Sequence, residues 1–322
     1  MREVKFLREN ADKWEEFEQL LDHPDKADAD ELADLYVQLT DDLSWAQTFY
    51  PQSKTTAYLN QLASRVHKRI YKNKKEEKGR VVNFWKNELP TLFYKHRVKL
   101  AAAFLIFITA IAIGSISSAN DAMFTRMIMG DQYVNMTLTN IEQNDPMAVY
   151  KMDHSMDMFL GITFNNVRVS FVAFLGGLLA SLGTGVILMK NGIMIGAFLS
   201  MFFSHNLLTK SLLVIFIHGT LELSAIIIAG AAGFVMGNGL LFPGSFKRSQ
   251  SFKRSAKEGL KMTVGLIPLF VMAGLLESFV TRYTAMPIGL SLFIIGSSLF
   301  FVLWYFVYYP HQMFNKKTSS NG

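Results

Sequence analysis

The chain has 322 residues, 50% of them hydrophobic and only 18% charged, with 32 basic against 26 acidic side chains. A composition this apolar, with its charge gathered into patches, describes a membrane protein with one soluble portion. No cysteine is present, which excludes disulfides, thiolate metal sites and cysteine nucleophiles together.

The start, MREVKFLRENADKWEEFEQLL, is charged and helical in pattern. It lacks the apolar core of a secretory signal, so the N-terminus is expected to stay in the cytoplasm. Helical spacing recurs three times in residues 1–98. Trp14, Phe17 and Leu21 mark a first helix. Leu32, Leu35, Leu39, Leu43 and Ala46 mark a second, and Tyr58, Leu62, Val66 and Ile70 a third. Pro24 and Pro51 punctuate the gaps, and the run 72–78 (KNKKEEK) reads as a solvated helix end or linker. Helices this short must pack on one another or on a partner. Residues 84–99 (FWKNELPTLFYKHRVK) interleave aromatics with bases, as a segment lying at lipid headgroups does.

From about residue 99 the chain turns apolar. A span needs ~20 apolar residues to cross ~30 Å of hydrocarbon, and six are read: 99–118, 167–189, 191–206, 211–236, 262–281 and 288–309. The third has only ~16 residues, ~24 Å at helical rise. It is counted as a crossing because a re-entrant segment would put the basic 247–261 loop outside. That loop carries six bases and one acid. With His96, Arg97, Lys99, Lys190, Lys316 and Lys317 it falls on one side, whereas residues 120–165 carry Arg126 and Lys151 against six carboxylates. The positive-inside rule then places both termini in the cytoplasm. The expected division is a head with a juxtamembrane helix at 1–98, a transmembrane bundle at 99–310 with an outer segment at 120–165, and a short basic tail at 311–322. The fold class is all-α.

Small residues recur four apart at Gly192 and Gly196, and at Ala225, Ala229, Gly233 and Gly237. Lipid offers no hydrophobic drive for helix association, so such residues supply close backbone contact instead. On the fourth span His218 and Glu222 sit one turn apart, ~40° round the helix, on the same face as Ala225 and Ala229. Ionisable groups inside a membrane face protein or water and find partners. Glu277 in the fifth span lies at matching depth, and Arg282, one turn further out, is placed to pair with Glu277 or Asp157. Three readings compete: a structural clamp, a conduit or substrate pocket, and a metal site. The metal site needs more ligands than one His–Glu pair, and the zincin spacing of two histidines is absent. In the outer segment, MDHSMDM (152–158) offers soft Met and His donors that suit Cu(I). The simpler reading is flexible apolar filler. Asn165, Asn166 and Arg168 are read as opening the second span, where they cap its helix.

Four strings resemble the stage II sporulation protein M family: residues 41–71 (DDLSWAQTFYPQSKTTAYLNQLASRVHKRIY), 164–198 (FNNVRVSFVAFLGGLLASLGTGVILMKNGIMIGAF), 217–237 (IHGTLELSAIIIAGAAGFVMG) and 265–281 (GLIPLFVMAGLLESFVT). The resemblance implies a polytopic membrane protein with a cytoplasmic helical N-terminal region. It implies a scaffold role like that of the founding member, which works with peptidoglycan-degrading partners during sporulation. Many members come from bacteria that do not sporulate, and their genes tend to lie near a MoxR-type ATPase. His218, Gly219, Glu222, Glu277, Asn165, Asn166, Arg168, Asn191 and Gly192 are the signature positions it implies, with an Asn-Gly turn at 191–192.

The expectation is therefore a multi-pass protein of a bacterial inner membrane, acting as a scaffold or docking component of a cell-envelope complex. Its expected partners are membrane lipid, other envelope proteins and, in a homo-oligomer, a second copy of the chain, with no nucleic acid. The alternative is a transporter or channel for an ion or lipid-like solute. No enzymatic activity, catalytic residue, cofactor or resident metal is expected.

Overall fold

The computed structural model describes residues 3–22, 29–72, 79–151, 154–284 and 286–319. Helices dominate, and no strand occurs among the described residues. The chain divides into two compact units, Met1–Arg80 and Val81–Gly322.

The first unit is a bundle of α1 (Glu3–Asp22), α2 (Ala29–Phe49) and α3 (Lys54–Lys72), each touching the other two. The spacing read from the sequence explains its core. Trp14, Phe17, Leu21, Leu39, Ala46, Leu62 and Val66 are buried together, with Leu35, Leu43 and Tyr58 packed against them. Phe6 and Leu59 join them. The side chains of Leu32 and Ile70 lie outside the described residues, as do Pro24 and positions 73–78 of the charged run. Trp14 keeps its indole proton satisfied by donating from Nε1 to Asp42 Oδ2 at 2.9 Å. Ser53 caps α3, accepting the Thr56 amide at 3.1 Å.

The second unit opens within α4 (Arg80–Asn83) and continues through a π-helical turn (Phe84–Glu88) and α5 (Leu89–Lys95). The division therefore falls at residue 80, not 98, and the aromatic-basic segment belongs to the bundle. Tyr305 and Tyr309 donate their hydroxyls to the Trp85 and Lys86 carbonyls at 2.6 and 3.1 Å. Leu89 and Phe93 are buried in the main core. Next come α6 (Arg97–Asn120), α7 (Ala122–Met129), α8 (Asp131–Glu142) and a 3₁₀ turn (Ala148–Lys151). They are followed by α9 (Ser155–Leu175), α10 (Leu182–Ser204), α11 (Leu208–Leu241), α12 (Arg248–Val264), α13 (Ile267–Leu275) with a π turn (Leu276–Val280), and α14 (Ile288–Leu303) running through a third π turn into α15 (Tyr309–Ser319).

Six stretches are long and apolar enough to cross a membrane: Arg97–Asn120, Ser155–Leu179, Leu182–Ser204, Leu208–Leu241, Arg248–Val280 and Ile288–Asn315. The number matches the apolar runs, but several boundaries differ, and the basic stretch expected as a loop at 247–261 is instead helix α12, from which the fifth span starts at Arg248, not 262. The second span begins at Ser155, not 167, and ends before a break at Ala180 and Ser181, which adopt φ of 51° and 71°. Gly176 and Gly183 face each other across that break so closely that a Cβ on either would overlap the other's backbone. The third span is a full 23-residue helix. Asn191 and Gly192 therefore make no turn. Asn191 donates to the Ile187 carbonyl at 2.8 Å inside α10, and Lys190 is an exposed helical residue, not part of a loop.

Helix α11 is the axis of the bundle. It touches α6, α9, α10, α12, α13 and α14, and Ala225, Ala229, Ala231 and Ala232 are fully buried along it. Outer helices turn Phe104, Leu105, Ile108, Leu292, Phe293 and Phe300 outward. That apolar exterior around a small-residue interior is what lipid requires. At one end, Glu258 of α12 gathers Lys95 at 2.5 Å, His96 Nε2 at 2.7 Å and Arg254 at 3.4 Å. Residues 121–151 pack at the opposite end, where Val134 and Met147 are buried against Met201, Phe202 and Val214.

Candidate functional site: a buried His–Glu–Glu cluster

One turn of helix separates His218 from Glu222 on α11, so both project from one face. That face meets α9 and the π turn after α13. Three ligand-capable side chains converge there: His218, Glu222 and Glu277, with one ligating atom of each within 4.8 Å of the other two. His218 is 4% exposed. Its Nε2 stands 3.8 Å from Glu277 Oε1, longer than a hydrogen bond.

The surrounding contacts fix each member. Thr281 donates its hydroxyl to the Leu276 carbonyl at 3.1 Å, closing the π turn, and lies 3.0 Å from His218 Nδ1. With the hydroxyl proton spent on the carbonyl, Thr281 Oγ1 accepts from His218. The imidazole proton therefore sits on Nδ1 and the Nε2 lone pair faces the carboxylates. Asn166 of α9 donates from Nδ2 to Glu222 Oε1 at 2.5 Å. Tyr150, on the 3₁₀ turn, sets its ring edge-on to the imidazole at 5.6 Å. Two grooves open near this end, one lined by Lys151, Arg282 and Pro287, the other by Asn206, Lys210 and Ile217. None of the three cluster residues lines either groove.

Other sequence-level expectations resolve differently. Arg282 pairs with neither Glu277 nor Asp157. It donates to Ser155 Oγ and to the Lys151 carbonyl, tying the start of α9 to the end of the fifth span. Asn165, Asn166 and Arg168 do not cap a helix start, because α9 begins at Ser155 and places them at mid-helix. Asn166 turns inward. Asn165 and Arg168 turn outward and are exposed. At 1.5 Å per residue, Arg168 stands about 20 Å from the Ser155 end and about 16 Å from Leu179. Neither its guanidinium nor the Lys190 ammonium has a hydrogen bond or ion pair among the described residues.

The small residues sit at helix contacts. A Cβ on Gly196 would overlap the Ile111 carbonyl, and one on Gly192 would press on Ala110 and Phe107. Gly233 abuts Thr184 and Ala173, and Gly237 abuts Ser181. Gly219 differs, since an added Cβ would meet only Ile215 at an ordinary 3.5 Å. In the 152–158 stretch, Met152 and Asp153 lie outside the described residues, while His154 and Met156 are exposed. Sequence reasoning missed Thr281, Tyr150 and the inward turn of Asn166. Thr281 carried a signal, standing four residues after Glu277; Tyr150, in irregular chain, carried none.

Six apolar spans around a buried polar core define a polytopic helical membrane protein. The family model described as Stage II sporulation protein M matches residues 103–282, more than half of the chain, and the chain belongs to that family. The match takes in every member of the cluster, from Tyr150 to Thr281. A second model, a Domain of unknown function (DUF8413), matches residues 4–72, within the first unit. No curated protein and no solved structure matches the chain.

Proposed function

We propose that this protein is a membrane scaffold that docks other proteins of a bacterial cell envelope, in the inner membrane, with both termini in the cytoplasm. The orientation is supported by the bases at one end of the bundle (Lys95, Arg97, Lys99, Arg254, Lys257, Lys261) and by the acidic balance of residues 120–165. The docking role rests on Arg168. A guanidinium in the middle of a span, turned away from its own bundle and without a partner among the described residues, is costly in lipid. A neighbouring transmembrane helix with a carboxylate at the same depth relieves that cost. Lys190 on α10 adds a second outward cation. A twofold pairing of α9 with a second copy is disfavoured, because Arg168 would meet Arg168 at equal depth.

The test is site-specific photo-crosslinking from Phe164, on the same exposed side of α9, in intact cells. A defined partner with an acidic residue in its span is expected. Arg168→Leu should weaken that association more than tenfold, since removing one member of a buried ion pair costs about 2–5 kcal/mol. Exchanging the charges between Arg168 and the partner's acid should restore it. Crosslinks to lipid alone, or partners retained by Arg168→Leu, overturn the reading.

A second reading, an ion or solute conduit, is favoured by the convergence of His218, Glu222 and Glu277 inside the bundle, since such residues mark ion paths. It requires flux in proteoliposomes that Glu222→Gln and Glu277→Gln both abolish. Normal flux in these variants, or none across a broad solute panel, rejects it.

A further inference from the structure

We infer that His218, Glu222 and Glu277 form a binding site for one divalent first-row transition cation of the zinc or manganese class. The inference goes beyond the docking role and does not depend on it.

The geometry carries it. A pair of helices clamped by a direct His–Glu hydrogen bond would close to about 3 Å, yet His218 Nε2 and Glu277 Oε1 stay 3.8 Å apart. Zn–N and Zn–O bonds of about 2.0–2.2 Å in a tetrahedron put donors about 3.4 Å from one another. The observed gap is a few tenths of an ångström from that spacing. The donors come from two elements, α11 and the π turn, so the set is built by the tertiary fold. A single His–Glu pair was insufficient on its own, and Glu277 completes a three-ligand set.

The second layer is arranged for ligation as well. Thr281 holds the imidazole proton on Nδ1 and presents the Nε2 lone pair to the carboxylates. Metal-binding histidines are oriented in this way by a partner on the other ring nitrogen. Asn166 occupies one oxygen of Glu222 and leaves the other free for a cation. Next to Glu277 in the chain, the Ser278 hydroxyl is fully buried and has no hydrogen-bond partner among the described residues. The three ligands leave a fourth position open on the ion. One imidazole and two carboxylates suit zinc and manganese better than the all-oxygen preference of calcium or the thiolate preference of Cu(I).

Charge points the same way. Two carboxyl groups lie close together in an apolar interior, which penalises their charged form. A divalent cation held by both carboxylates leaves a neutral centre, removing the charge burial that such an interior penalises. Tyr150 then covers a site that needs no open channel once filled.

The experiment uses the full chain in mild detergent. It is stripped with a chelator, exchanged into Zn²⁺ or Mn²⁺ alone, gel-filtered and assayed for metal by mass spectrometry, with thermal unfolding read alongside. About one equivalent of one of the two metals and an upward shift in Tm are expected. His218→Ala and the isosteric Glu222→Gln and Glu277→Gln should lose metal at least tenfold while eluting as monodisperse protein. Glu258→Gln, at the opposite end, serves as control and should keep it. Wild-type protein that retains neither metal, or metal that survives Glu277→Gln unchanged, overturns the inference.

Discussion

His218 Nδ1 and Thr281 Oγ1 lie 3.0 Å apart, joining the axial helix to the end of the π turn that carries Glu277. The contact does two things. It satisfies a buried ring proton, and it sets the direction in which the other nitrogen points. Thr281→Val keeps the side-chain volume and removes the hydroxyl. The orphaned Nδ1–H should cost about 1–3 kcal/mol, and the apparent Tm in detergent should fall by several degrees. Thr281→Ser should restore most of it. Equal Tm values for Val and Ser variants would mean that the methyl, not the hydroxyl, matters.

Close approach of α6 and α10 depends on absent side chains. The Cβ of an alanine at Gly196 already overlaps the Ile111 carbonyl, and that backbone atom cannot rotate away. Gly196→Val should therefore cost about 3 kcal/mol or more, and the yield of monodisperse protein should drop sharply. Gly219→Ala, where the added carbon finds ordinary contact, should be tolerated within about 0.5 kcal/mol and gain a little helix propensity. Parallel gel filtration of the two variants distinguishes packing glycines from permissive ones.

These contrasts show what the chain disclosed before its fold was known. Six apolar runs and three amphipathic stripes were legible because lipid and core each impose a period. The depth of His218 and Glu277 was legible for the same reason, since helical rise converts position into height. The α9–α10 break was hidden. Residues 176–183 are apolar or small throughout, and the left-handed residues there are Ala180 and Ser181, not glycine. The polar Lys190-Asn191-Gly192 looked like the turn instead, but an exposed lysine, a self-bonded asparagine and a packing glycine all fit a helix. The π turn at 276–280 was equally hidden, because every residue of LESFV is at home in an α-helix. Its consequence is the meeting of Glu277, Thr281 and His218.

The first unit can be tested by itself. Leu59, fully buried among Trp14, Phe17 and Leu62, fills the centre of its three helices. A fragment of residues 1–80 should show helical circular dichroism and one cooperative thermal transition. Leu59→Ala should lower its stability by about 2–5 kcal/mol through the cavity it leaves. A non-cooperative fragment would mean that this core needs the rest of the chain.

At the basic end, His96 is half-buried between Glu258, Lys95 and Lys99. Burial lowers its pKa below the usual 6.5, and the two lysines add to that, while the hydrogen bond and charge of Glu258 oppose it. The unfolded chain therefore takes up a proton near pH 6.5 that the folded chain refuses. The unfolded state binds more protons in that window, so stability must fall as pH drops from about 6.5 toward the depressed folded value, and then level off. His96→Gln keeps a donor toward Glu258 and removes the titration. Its Tm should be flatter than wild type between about pH 5 and 7. An unchanged slope would assign the pH response to another group.

Two arginines in the family-matched region separate internal structure from outward display. Arg282 is tied to Ser155 and to the Lys151 carbonyl, so Arg282→Ala should loosen the closure of α9 against the fifth span and lower Tm. Arg168 touches nothing polar among the described residues and sits near the middle of its span. In purified protein, Arg168→Leu should leave Tm unchanged within the effect of about 0.5 kcal/mol typical of surface changes, or raise it, because it replaces an exposed charge by an apolar side chain suited to lipid. The same substitution should abolish the crosslink from Phe164 in cells. A residue that costs the isolated protein nothing when removed, yet is needed for a contact in the membrane, acts on something outside its own chain. If Arg168→Leu destabilises the purified protein as much as Arg282→Ala does, the guanidinium serves the bundle and the docking reading loses its support.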